Sequence, residues 1–119
     1  MIPLPISLPP LPPQAARVFR ATVHGLVFGD RARHLLSVRS GEPLMLVPDP
    51  PGTGLDQVWV HLHRGDAIGH LPNEIASWLG PWMRRGGRAT VRPLLVGDEG
   101  VPSWKRLLVE VACDGSGPR

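Results

Sequence analysis

Cysteine and lysine are both scarce in this chain: its 119 residues include a single cysteine, Cys113, and twelve of the thirteen basic residues are arginine. One thiol can form neither an internal disulfide nor a cysteine-cluster metal site, which suits a reducing compartment. No stretch approaches the roughly 18 apolar residues needed to cross a bilayer. The N-terminal residues lack the basic start and unbroken apolar run of a secretory signal. These absences predict a cytoplasmic protein without a membrane partner. Catalytic signatures are missing too. There is no nucleophile with a recognisable base, no paired carboxylates and no phosphate-cradling G-x-x-x-x-G-K-[ST] loop, so the expectation is a non-enzymatic protein with no cofactor. His61 and His63 share one strand face and His70 follows, but no cysteine or carboxylate completes a four-ligand set, so no metal site is expected.

The chain is basic, with a net charge of +3 and a pI near 10.4. Arginine grips phosphate through a bidentate fork, so this balance suits a polyanionic partner. Both flanks are unsuited to a core. Residues 1–16 hold six prolines, and the tail DGSGPR has no apolar residue. The expected organisation is a Pro-rich disordered leader at 1–16, one folded domain at 17–112 and a flexible tail at 113–119. The P-x-x-P spacings of the leader favour polyproline II, which can dock in an aromatic groove of a protein partner.

Within the domain, RVFRATVHG alternates, with Phe19, Ala21 and Val23 on one face and Val18, Arg20 and Thr22 on the other. GEPLMLV predicts a second strand after Pro43. DQVWVHLH predicts a third, with Val58, Val60 and Leu62 opposite Trp59, His61 and His63. RGD turns the chain into a short partner strand, AIGH. GRATVRPLLV and WKRLLVEV, separated by GDEG, predict a hairpin in which Pro93 forces an edge position or a bulge. RARHLLSV is compatible with a brief helical turn. PNEIASWLGPWMRR predicts the main helix: Pro72 suits its first turn, Asn73 its cap, and Ile75, Trp78, Leu79 and Trp82 form an apolar stripe. Pro81 is expected to break or kink it at Gly80, with a second short turn ending at Gly86. The fold class is therefore mainly β with one or two short helices, in the form of a small closed or half-closed barrel.

The order of a strand, GLVF, GEPLMLVP, a Pro/Gly loop ending in aspartate, an alternating strand and then IGHLPNEIASWL resembles the HIRAN domain over about Phe19 to Val111. That family has a modified oligonucleotide-binding (OB-like) β-barrel. It occurs in fork-remodelling helicase-like proteins and as small free-standing bacterial proteins, so the resemblance implies a role in DNA repair. The implied partner is single-stranded DNA at its free 3′-hydroxyl end. On that resemblance Phe28 stacks on the terminal base, Asp56 accepts the 3′-hydroxyl hydrogen bond, His70 lies near the terminal phosphates, and Asn73 stands where a basic residue often helps. The loop DPPGTGLDQVWV departs from the family. It is a residue longer, has Leu55 where a second stacking aromatic is expected, and has Val58 and Trp59 in place of asparagine and alanine.

The chemistry of these positions is coherent on its own terms. An aromatic side chain offers a base about 1–3 kcal/mol of stacking. A carboxylate accepts a hydroxyl hydrogen bond and repels a phosphate in its place. A helix start presents amides to a phosphate, and a histidine beside it adds a donor. Arg84, Arg85, Arg88 and Arg92 follow the helix, near Trp82, and read either as part of a nucleic-acid surface or as a solvated helix end. The alternative to DNA binding is a protein-interaction barrel that has lost the DNA-end pocket.

Overall fold

The computed structural model describes residues 11–12, 15–26, 35, 38, 41, 43–49, 57–63, 65–97 and 100–114. Their strands are β1 (Val18–Thr22), β2 (Leu44–Pro48), β3 (Val58–Leu62), β4 (Ala67–His70), β5 (Arg88–Val96) and β6 (Leu107–Asp114), with one long helix, α1 (Asn73–Arg84), between β4 and β5. Alternation drives the strands as expected: Val58, Val60 and Leu62 are fully buried, while the intervening Trp59 and His61 are half-buried on the opposite face. In β1 the same logic buries Ala21, half-buries Phe19 and exposes Val18 and Arg20.

The strands form two antiparallel sheets, ordered β1-β6-β5 and β2-β3-β4. β5 is thus an edge strand, and its register with β6 shifts between Pro93 and Leu95, so the missing amide of Pro93 produces both of its anticipated effects. A backbone bridge stitches the sheets together. His24, just past β1, and His70, the last residue of β4, form an isolated antiparallel bridge, exchanging N–H···O bonds of 2.8 and 2.9 Å. Gly69 makes this approach feasible, because a Cβ there would run into the His24 carbonyl oxygen and the Val23 side chain. β2 also lies against β5, but no ladder joins them among the described residues. The result is a small mainly-β domain.

Among the described residues the core is wholly apolar and includes Val23, Leu26, Ile68, Leu71, Leu79, Trp82, Val109 and Val111. Leu35 and Val38 are helical and buried in it; the rest of RARHLLSV lies outside the described residues. The folded unit reaches past its expected edges. Leu11 of the Pro-rich leader packs against the core, and β6 runs through Asp114, burying Cys113. Burial, and then the charge of Asp114, push the Cys113 thiol up to about 11. It therefore stays protonated and inert at neutral pH.

α1 departs from expectation twice. It runs unbroken through Pro81. A proline inside a helix costs about 3 kcal/mol, but Leu79 and Trp82 are both fully buried, and each large apolar side chain contributes about 1.5–3 kcal/mol on burial. Ser77, whose carbonyl loses its partner to Pro81, sits at an exposed position where water can substitute. The second departure is at the start: Pro72 is the N-cap and no side chain caps the helix, so Asn73 is its first residue and not its cap. The far end matches expectation. Gly86 has φ of 106°, its amide bonds to the Met83 carbonyl and that of Gly87 bonds to Trp82, the paired bonds of a Schellman motif. A Cβ on Gly87 would fall within the Trp82 indole.

The last strand begins at Leu107, later than the apolar run suggests. Trp104 and Lys105 instead belong to a 3-10 turn, Ser103–Lys105. Arg106 holds the connection by donating from Nε and Nη2 to the Val101 carbonyl at 3.2 and 2.9 Å.

Candidate nucleic-acid interface

The register of the second sheet builds a row of rings on its outward face. Val47 stands opposite Trp59 across β2 and β3, Trp59 opposite His70 across β3 and β4, and His70 opposite His24 at the bridge. Because alternation points Val58 and Val60 inward, Trp59 must point outward. The Trp59 and His70 ring centroids are 5.5 Å apart with planes at 75°. His70 and His24 follow at 6.1 Å, nearly parallel. A bulge between Val60 and His61 then shifts the ladder, so His61 faces Ala67 in the next row.

Each ring is held in place. The Trp59 indole Nε1–H donates to Asp49 Oδ1 at 2.8 Å. His70 Nδ1 lies 3.1 Å from the Leu71 carbonyl, which can only accept, so Nδ1 carries a proton and Nε2 is the nitrogen presented to a ligand. His24 Nε2 lies 3.4 Å from Thr22 Oγ1. Asp49, immediately after β2, is a hub. Its amide donates to the Gln57 carbonyl at 2.9 Å, its carboxylate takes the Trp59 indole, and its carbonyl accepts from Arg84 Nη1 at 3.1 Å. It thereby joins the end of β2 to Gln57, just before β3, and to the end of α1.

α1 flanks this row at both ends. It begins three residues after His70, where the Ile75 and Ala76 amides bond back to the Pro72 carbonyl, so the Asn73 and Glu74 amides precede the first intrahelical bonds. It ends at Arg84, beside Asp49. Trp78 lies partly buried on the helix flank, edge-on to Phe19 at 5.7 Å, and Trp82 is core.

Of the residues expected at a DNA site, the structure links His70 to Arg84 through Trp59 and Asp49. It places the exposed Asn73 at the start of the helix. Arg85 and Arg88 are exposed at the other end of the helix, about 18 Å away along a helix axis of that length, and Arg88 faces Asp114 across β5 and β6. Arg92 pairs with Glu110 at 2.9 Å on the outside of the other sheet. Phe28, Leu55 and Asp56 lie outside the described residues. Trp59, His24 and Asp49 were not anticipated as site residues. The signal for Trp59 was its place on the outward face with His61, whereas its neighbours depend on strand register.

Among the described residues no group of three or more histidine, cysteine or acidic side chains is placed to hold a metal ion, and no helix is long and apolar enough to cross a membrane. Comparison of the chain with family models, with curated proteins and with solved structures returned no match.

Proposed function

We propose that this domain is a non-catalytic module that binds single-stranded DNA, with the end of the strand held where β4 runs into α1. The observation that carries the reading is His70. Its Nδ1–H is committed to the Leu71 carbonyl, its Nε2 can donate to a phosphate in the imidazolium form, in which both ring nitrogens carry protons, and the leading amides of α1 follow it directly. The positive charge of the chain favours the same partner. The resemblance to HIRAN domains adds the finer assignments: an OB-like barrel, a free 3′-hydroxyl as the recognised feature, Phe28 as the base-stacking ring, Asp56 as the hydroxyl acceptor, and DNA repair as the setting.

The test is fluorescence anisotropy with short oligonucleotides ending in 3′-hydroxyl or 3′-phosphate, across a range of salt. The 3′-hydroxyl strand is expected to bind more tightly, with affinity falling as salt rises, and His70→Ala and Asp56→Ala are expected to weaken it without unfolding the protein. Equal affinity for both ends would remove the end recognition. No salt-dependent binding would remove the nucleic acid altogether.

Leu55, in place of a stacking aromatic, favours a second reading in which the same domain recruits a protein. That reading expects no oligonucleotide binding and a partner lost when residues 1–14 are deleted.

A further inference from the structure

The end-binding reading uses one corner of the second sheet and leaves its outward face without a role. Among the described residues that face is unusual for a solvent surface. Several rings left half-exposed side by side on a small domain commonly mark an interaction site. Here Trp59, His70 and His24 form a continuous row, with His61 and the exposed Met45 in the row beside it.

We propose that this row, with Trp59 at its centre, is a base-stacking track that carries the unpaired bases of a single strand across the sheet from the His70 corner toward Arg84. The inference rests on the DNA-binding reading and extends it from the end of the strand to its body. Three observations fix the occupant as nucleic acid. The first is charge: β2, β3 and β4 contain no acidic residue, and the Asp49 carboxylate beside the row is turned to the Trp59 indole N–H, with the Arg84 guanidinium on the carbonyl of the same residue. The second is preorganisation. The Asp49 bond fixes the Trp59 ring, and the bridge between His24 and His70 fixes the backbone beneath the other two, so little rotamer freedom is lost when a base arrives. The third is that a guanidinium stands at the end of the row, where Arg84 reaches the Asp49 carbonyl. Stacking with flanking cations is the chemistry of sequence-tolerant single-strand binding.

The same track explains how the chain can forgo a second aromatic at Leu55. Trp59, from the neighbouring strand, supplies a ring of larger area, so bases inward of the terminus are gripped even where the end pocket has one stacking partner fewer.

The experiment measures the affinity of wild type, Trp59→Leu and Trp59→Phe for a short 3′-hydroxyl oligothymidylate, with the folded state of each checked by thermal melting. Loss of one stacked base is expected to weaken binding roughly 5- to 100-fold in Trp59→Leu, with Trp59→Phe retaining most of the affinity. Removing internal bases as abasic sites should weaken wild type by a similar factor and Trp59→Leu far less. Wild type that binds while Trp59→Leu binds equally well would overturn the track and leave the DNA-binding function standing. A wild type that binds no oligonucleotide would overturn both. Should Trp59→Leu fail to fold, the indole N–H resonance of Trp59 in wild type decides: a shift on titration supports the track, and an unmoved resonance during saturable binding overturns it.

Discussion

The two sheets share one apolar core and turn different surfaces outward. The β1-β6-β5 sheet carries a charge cluster on its outer side: Arg20 and Arg92 both stand opposite Glu110 across the strands, Arg92 bonds to it, and Thr22, Thr90 and Arg88 surround them, with the isolated apolar side chains of Val18 and Leu95 exposed at its margins. The β2-β3-β4 sheet shows Met45, Val47, Trp59, His61 and His70, without an acidic residue in its strands. A face of the first kind is at ease in water, because each charge is solvated or paired. The second keeps ring surface half-exposed in fixed rotamers, an arrangement that stability alone does not require. The contrast is the reason the proposed binding row is placed on the second sheet.

The largest effect should come from breaking the seam where the sheets meet. Gly69→Ala forces a methyl group against the His24 carbonyl and Val23, and it is expected to lower stability by about 3 kcal/mol in urea denaturation while displacing His24 from the ring row. A midpoint within error of wild type would show that the seam relaxes freely. Next in size is the thiol between the sheets. The folded state raises the Cys113 value from 9.0 to about 11, so the neutral thiol is favoured on folding. Its contribution is fully present below pH 9, and roughly 2–3 kcal/mol is lost as pH climbs through 11. Urea titrations of wild type and Cys113→Ala should converge toward the alkaline end, and parallel pH profiles would argue against a buried thiol. The smallest effect belongs to the charged face. Arg92→Ala should cost no more than about 1 kcal/mol, since its guanidinium is largely exposed, and should leave oligonucleotide affinity nearly unchanged. A loss comparable to that of Trp59→Leu would erase the distinction between the faces.

What the sequence made legible follows from the range of each interaction. Alternation revealed the inward set Val58, Val60 and Leu62, and the missing amide of Pro93 forecast the edge and bulge of β5, because both are properties of a few neighbouring residues. Gly86 was legible as the end of α1 for the same reason. Pro81 was misjudged because its local cost is offset by the burial of Trp82, a tertiary term that no local rule contains. In the sequence alone Trp59 is a departure from the HIRAN pattern. Its meeting with His70 and Asp49 depends on a register set by the β3–β4 turn and its bulge, and the bridge from His24 to His70 joins segments 46 positions apart. Asp49 illustrates the same limit: nothing in VPDPPG marks an aspartate that will bond to Gln57, Trp59 and the end of a helix at once.

The most direct measurement is an NMR titration of the full chain with a short 3′-hydroxyl single strand, following the amide and indole resonances of both sheets. Shifts gathered at His24, Trp59 and His70, with Arg20, Arg92 and Glu110 silent, are the predicted result. Shifts centred on the charged face instead, or saturable binding that leaves the ring row untouched, would contradict the account.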